Sequence, residues 1–184
     1  MRRVAEAGVF ILTEIVVPIV LDEVMEALRG ALKAVIEKRR EGQGGGEAID
    51  LSGCRLSRLI YKGGAWRRLD VSDAEVGVLD VRGGSIGRLD ASGARIGELR
   101  ANEAKVNILD ASEARLGSLV IRGAAVNFLD LSGARVDHLD MGGAKIVDLD
   151  MSGAEVKKIS GYKTARLALG PDLSGAVVDE IAGA

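Results

Sequence analysis

A ten-residue repeat runs from Ile49 to about Ala168, and it constrains the fold more than any other feature of the chain. A fixed period of this kind is typical of solenoid proteins, in which each repeat is one structural unit that packs on the next. Aligned decads such as LDVSDAEVGV, LDASGARIGE, LDASEARLGS and LDLSGARVDH begin at Leu69, Leu89, Leu109 and Leu129. The sequence therefore predicts a stacked repeat over about 120 of the 184 residues.

Apolar or small residues within the repeat are spaced alternately by two and by three positions, as at Leu89, Ala91, Ala94, Ile96 and Leu99. A spacing of two places alternate side chains of a β-strand on the same face. A spacing of three leaves one extra residue pointing outward, which indicates that the chain has turned a corner. Each run of five residues is therefore predicted to form one straight side of a coil.

The outward positions repeat every twenty residues rather than every ten. Every second decad carries an aspartate that is followed two residues later by serine, and we call these aspartates the Asp ladder: Asp50, Asp70, Asp90, Asp110, Asp130 and Asp150. The intervening decads carry unlike residues at the same place, namely Ile60, Asp80, Arg100, Val120, Asp140 and Ser160. This alternation predicts a four-sided coil of twenty residues, because a fifteen-residue coil would stack leucine over alanine. Six such coils over residues 49–168 would make a rod roughly 29 Å long.

Glycine, asparagine and aspartate recur where the chain is expected to turn. These residue types tolerate positive φ, which tight corners require. The sequence therefore predicts positive φ at two sets of positions, one comprising Gly83, Gly93, Gly133 and Gly153 and the other comprising Gly87, Gly97, Asn107, Gly117, Asn127 and Asp137.

The run Leu129-Asp130-Leu131-Ser132-Gly133-Ala134-Arg135-Val136 resembles the pentapeptide-repeat family, whose motif is roughly A-[D/N]-L-[S/T]-G. The resemblance extends over 24 consecutive pentads. It implies a right-handed, quadrilateral β-helix, which is an all-β solenoid. Half of the first positions are leucine where the family usually has a small residue, so we expect a more rectangular cross-section.

Four segments are predicted along the chain. Residues 1–41 form an apolar segment and an amphipathic α-helix, which starts near Pro18 and has its apolar residues at helical spacing. Residues 42–48 are a Gly-rich linker, residues 49–168 are the β-solenoid, and residues 169–184 are a C-terminal cap. Solenoids need such caps because open ends expose core and unpaired strand edges.

The apolar run of residues 7–21 needs burial. It is shorter than the roughly 20 residues of a bilayer span, and Glu14 and Pro18 interrupt it. The sequence therefore favours a cytoplasmic protein, and its scarcity of amides and cysteine beside abundant Arg and Glu is typical of thermophiles. The density of apolar residues favours a contact between copies of the chain, with an intramolecular cap and then membrane contact as the alternatives.

The Asp ladder has two interpretations. Six stacked carboxylates are typical of a cation-binding rail or a phosphate mimic, yet neighbouring carboxylates repel by about 1 kcal/mol even in water. The favoured interpretation is structural: each aspartate accepts backbone N–H bonds at its corner, with help from the serine two residues on. Arg95, Arg115 and Arg135 are predicted to pair with the aspartates five residues before them.

Catalytic chemistry is not indicated. The only histidine, His138, lies beside Asp137 at an outward corner, and the only cysteine, Cys54, falls at an inward position. No catalytic, cofactor-binding or metal-binding residues are predicted, and we expect no cofactor. Ile108 and Phe128 occupy the same outward place in successive coils, so they are predicted to adjoin as a protein-contact patch, unless the N-terminal segment covers them.

These observations predict a non-catalytic scaffold or protein-interaction module that forms a homo-oligomer. A filament of stacked solenoids is the first alternative. The resemblance implies a second, because some pentapeptide-repeat proteins inhibit topoisomerases as DNA mimics. Residues 49–168 hold 18 Lys and Arg against 16 Asp and Glu, and this net charge of +2 disfavours a mimic. Nucleic-acid binding is not favoured either, because arginine and aspartate rows alternate.

Overall fold

Two parallel β-sheets face each other along the repeat, in a computed structural model that describes residues 11–12 and 47–182. The first, here called the odd sheet, has eight strands in the order β1 (Ile11–Leu12), β3 (Arg55–Ile60), β5 (Glu75–Asp80), β7 (Arg95–Arg100), β9 (Arg115–Val120), β11 (Arg135–Asp140), β13 (Glu155–Ser160) and β15 (Val177–Ala182). The second, the even sheet, has seven strands in the order β2 (Glu47–Asp50), β4 (Ala65–Asp70), β6 (Ser85–Asp90), β8 (Lys105–Asp110), β10 (Ala125–Asp130), β12 (Lys145–Asp150) and β14 (Arg166–Leu167).

Each coil of the solenoid contains twenty residues. Leu89 pairs with Leu109 and Asp90 with Asp110 in the even sheet, and Leu79 pairs with Leu99 in the odd sheet. Backbone hydrogen bonds between coils continue through the turns, as from the Val71 amide to the Asp90 carbonyl at 2.7 Å. The predicted twenty-residue period and the all-β solenoid fold are therefore confirmed.

The strands bend at their centres, which makes each coil four-sided. Val76 and Leu79 of β5 are buried, whereas Gly77 and Val78 between them face outward. Two consecutive outward residues cannot occur in a straight strand, because successive side chains alternate. The inward spacing of two and three that the sequence shows is thus the spacing of the core.

Leucines and small residues fill the interior in separate columns that run along the solenoid. Leu79, Leu99, Leu119 and Leu139 are fully buried and stack along the odd sheet, and the alanines at 74, 94, 114 and 134 are equally inaccessible. Large side chains facing small ones satisfy the close packing that protein interiors require. Burial of each leucine stabilises the fold by about 1.5–3 kcal/mol.

The corners use glycine for two different reasons. The third residue of the turn between strands has positive φ, including the predicted Gly83, Gly93, Gly133 and Gly153, and also Asp73, Glu103 and Glu113. The same prediction is wrong for Gly87, Gly97, Asn107, Gly117, Asn127 and Asp137, whose φ is not positive. A Cβ at Gly97 would lie only 2.6 Å from the Gly77 carbonyl oxygen, so this second glycine set permits close approach of successive coils.

The solenoid continues beyond residue 168. A 3-10 helix at Tyr162–Thr164 and the residues up to Pro171 lengthen one coil to 22 residues, so that Asp150 pairs with Asp172. The chain then resumes the repeat, and β15 pairs with β13. The segment interpreted from the sequence as a C-terminal cap therefore includes the last strand of the odd sheet, and the described solenoid has about seven coils.

At the opposite end, β1 pairs with β3, which places Ile11 opposite Arg55 and Leu12 opposite Leu56. Apart from Ile11 and Leu12, the predicted segment 1–41 with its helix lies outside the described residues. Residues 42–46 of the predicted linker lie outside them as well.

Candidate functional site

The six aspartates of the Asp ladder lie in register along the outer face of the even sheet. One carboxylate oxygen of each accepts the backbone N–H of the serine two residues later, at 2.8–3.4 Å. In the first five, the serine hydroxyl donates to the same oxygen at 2.6–2.8 Å. These bonds close the corner locally, as asparagine and aspartate side chains do in turns.

Arginines from the same strands neutralise the middle of the ladder. Arg68 donates from Nη2 to Asp70 Oδ2 at 2.6 Å and to Asp90 Oδ2 at 3.2 Å. Arg88 donates from Nε to Asp90 Oδ2 at 3.2 Å and from Nη2 to Asp110 Oδ2 at 2.8 Å. Each arginine therefore bridges two coils and offsets the repulsion between their carboxylates.

The predicted partners of the ladder are wrong. Arg95, Arg115 and Arg135 lie in the odd sheet, beyond the corner, and Arg135 instead pairs with Glu155 at 3.0 Å. Arg88 reaches Asp90 because residues two apart on a strand project from the same face. That spacing of two was visible in the sequence, so it is the signal that could have identified the correct partners.

The environment of Asp90 keeps its carboxyl ionised. Burial alone would raise its pKa, but hydrogen bonds from Ser92 and the charge of Arg88 outweigh burial and lower the pKa below its ordinary value. Within residues 11–12 and 47–182, no group of three or more His, Cys, Asp or Glu side chains is arranged to hold a metal ion. The contacts of the Asp ladder are those of side chains that stabilise the turns of the solenoid.

Ile108 and Phe128 are neighbours, as their sequence positions suggested. They pair across β8 and β10 and are both partly buried. Arg88 precedes them and Asp148 follows them in the same outward row. The structure thus brings the two predicted contact residues together as an apolar pair, with an arginine on one side and an aspartate on the other.

The C-terminal end of the solenoid carries a second apolar surface, which the sequence interpretation missed. We call it the C-terminal rung surface, and its members are Leu169, Leu173, Val177 and Ile181, which are all about half exposed. Leu173 and Ile181 occupy the inward positions that Met151 and Ile159 fill one coil earlier, where both are buried. The run DLSGAVV at 172–178 repeats the ladder motif and could have revealed this coil.

The two ends of the solenoid differ in exposure. Leu56, in the first full strand of the odd sheet, is only 4% exposed, whereas Ile181 in the last strand is 53% exposed. Both occupy inward positions of the same sheet. At matching places in the sheet, Leu59 is partly buried where Ile181 is half exposed, and Leu56 is buried where Val178 is partly buried, so the core is better covered at its N-terminal end than at its C-terminal end.

The remaining side chains with potential reactivity are those of His138 and Cys54. His138 Nε2 lies 2.8 Å from Ser160 Oγ. Burial, and secondarily the charge of Asp50, raises the pKa of the Cys54 thiol and so disfavours its reactive thiolate.

No helix in the described part of the chain is long and apolar enough to span a bilayer. Comparison with protein-family models, curated proteins and solved structures finds no match to this chain.

Proposed function

We propose that this protein is a rigid, non-catalytic scaffold that associates with itself through the open end of its solenoid. The observation that carries the proposal is the half-exposure of Leu173 and Ile181, which are core positions without a covering coil. Exposed apolar patches bounded by polar residues mark contact surfaces in soluble proteins.

Rigidity supports the scaffold role. Parallel ladders join every described coil to the next, and one continuous core of leucine, valine, isoleucine and alanine runs through them. A solenoid of this kind has no internal hinge, so groups attached along it keep a constant separation. The twenty-residue coil with five-residue sides also supports a proposal that the chain is a pentapeptide-repeat protein.

The apolar area favours a reversible association. Covering the two half-exposed inward side chains, Leu173 and Ile181, would contribute about 1.5–3 kcal/mol from each copy, if full burial of one contributes about 1.5–3 kcal/mol. Loss of free motion on association costs about 4–15 kcal/mol. The cost is at least as large as this gain, so the apolar contact by itself supports only a weak association, and we expect the oligomer to depend on protein concentration.

A filament is the second candidate, because the outer edges of β2 and β14 end the even sheet without a further strand among the described residues. A topoisomerase regulator that mimics DNA has less support. Arg68 and Arg88 neutralise the carboxylates in the middle of the Asp ladder, which removes the continuous negative surface that a mimic requires.

Sedimentation velocity of the 184-residue chain over a hundredfold concentration range tests the proposal. We expect the average mass to rise with concentration, and we expect Ile181→Lys to abolish the rise. Val147→Lys is the matched control, because Val147 is also a large exposed apolar residue but lies on the side of the solenoid. A monomer at all concentrations, or equal effects of the two substitutions, would overturn the proposal. Long fibres in negative-stain images would support the filament instead.

A further inference from the structure

We infer that two copies of this chain join C-terminal end to C-terminal end about a two-fold axis, with β15 of one copy antiparallel to β15 of the other. This inference rests on the proposed self-association and specifies its geometry. It depends on three features: a free strand edge, a closed opposite end, and a register that continues the core.

The free edge belongs to β15. This strand pairs with β13 on one side, and no strand in the described ranges pairs with its other side. Unpaired edge strands present a row of N–H and C=O groups that readily pair with another chain. The inward side chains Val178 and Ile181 border this edge and are partly or half exposed, so an added strand would satisfy the backbone and cover apolar surface together.

The opposite end of the odd sheet is occupied. β1 lies against β3 there, and its Leu12 pairs with Leu56. A head-to-tail neighbour would have to displace β1 before its own β15 could pair with β3. The arrangement that leaves every existing strand pair intact brings two C-terminal ends together, and such a contact is necessarily self-complementary.

A two-fold axis perpendicular to the solenoid reverses the strand direction but keeps inward side chains inward. Placing Val178 opposite Ile181 of the second copy puts Val177 opposite Ala182 and Asp179 opposite Glu180. The pair of Val178 and Ile181 continues the core across the contact, in the same way that successive coils stack within one copy. A shift of one residue would place Val178 opposite an outward residue, so the inward positions at 178 and 181, which are three residues apart, select this register.

Charges at the rim are compensated in part within each copy. Glu180 accepts a bond from Lys158 Nζ at 2.8 Å. Lys157 is bonded to Asp137 at 2.7 Å and acts on Asp179 only through its charge. In the proposed register each Asp179 faces Glu180 of the second copy, so the Lys158 bonded to that Glu180 offsets part of the like-charge repulsion.

Distances between spin labels distinguish the possible geometries. The full chain with Cys54→Ala carries one new cysteine at a time, either Val147→Cys near the C-terminal end or Ile60→Cys near the N-terminal end. Both positions are 44% exposed, so each accepts a label on the side of the solenoid. With coils about 4.8 Å apart, the two-fold arrangement predicts roughly 15–25 Å between labels at 147 and about 60 Å between labels at 60. Head-to-tail stacking predicts about 34 Å for both.

A short distance at 147 with a long one at 60 supports the inference. Equal distances, or a short distance at 60, would overturn it while leaving self-association intact. Sedimentation of the same labelled samples makes the two failures distinguishable, because a strictly monomeric protein would overturn both the geometry and the proposed function.

Discussion

Replacing Asp80 with asparagine removes a negative charge that the fold holds out of solvent. Its side chain is 0% exposed and accepts bonds from Arg82, at 2.9 Å from Nε and 2.7 Å from Nη2. The Arg82 amide and Lys62 Nζ also approach it, at 3.3 and 3.6 Å. The hydrogen bonds from the Arg82 side chain are the largest influence on the pKa of Asp80 and, with the nearby charges, lower it from 3.8 to about 2 against the opposing effect of burial.

This pKa difference sets the expected size of the effect. Lowering a pKa from 3.8 to about 2 corresponds to roughly 2.4 kcal/mol of stability. Arg82 is 39% exposed, so water screens part of the interaction, and we expect about 1–2 kcal/mol. Because the pKa is depressed in the folded state, this stabilisation is fully present above about pH 4. It is lost as the pH falls from about 4 towards 2.

Urea unfolding followed by circular dichroism at pH 7 and at pH 2 measures this contribution. We expect Asp80→Asn to lower the free energy of unfolding by about 1–2 kcal/mol at pH 7 and to differ little from the parent at pH 2. Asp140→Asn is the matched control, because Asp140 accepts the Gly142 amide at 3.0 Å but has its arginine, Arg122, at 3.7 Å. Equal losses for the two variants at pH 7, or an undiminished loss for Asp80→Asn at pH 2, would refute the reasoning.

Three further predictions concern packing and backbone geometry. Glu103 has φ 58°, so Glu103→Gly should raise the free energy of unfolding by about 0.5–1 kcal/mol in thermal denaturation. Gly123→Ala, at the same place one coil later, should lower the free energy of unfolding by about 1 kcal/mol. Changes of the same sign in the two variants would contradict this prediction. Leu109→Ala should cost about 2–5 kcal/mol in urea unfolding, and the outward Ile108→Ala less than about 1 kcal/mol; similar losses would mean that the inward assignment is wrong. Gly97→Ala places a Cβ 2.6 Å from a carbonyl oxygen of the preceding coil and should cost about 1–3 kcal/mol, and unchanged stability would show that the coils can separate freely.

The placement of the core could be predicted from the sequence because it follows from local chain geometry. Leu89 and Ala91 point the same way in any strand, and the spacing of three between Ala91 and Ala94 forces a corner in any chain with this pattern. The aspartate–serine pairs could be recognised for a similar reason, since an aspartate that bonds to the amide two residues later needs only its own turn.

Contacts between coils are harder to predict from the sequence than these local features. The pairing of Arg88 with Asp110 joins residues on neighbouring strands, and its geometry depends on how two coils stack. Gly97 could be mistaken for a positive-φ corner because its close contact is with the carbonyl of a residue in the preceding coil. In both cases the distance that matters is between strands, and the residue types alone do not contain it.

The chain by itself therefore determines the period of twenty, the inward leucines and alanines, and the line of the Asp ladder. Each follows from the alternation of side chains along an extended backbone, which depends only on neighbouring residues. Only the tertiary structure decides that Arg68 and Arg88 neutralise the ladder, and that the core is covered at Leu56 but open at Ile181. Burial and ion pairing depend on the part of the chain that packs against a residue, and the two ends of the solenoid differ in what packs against them.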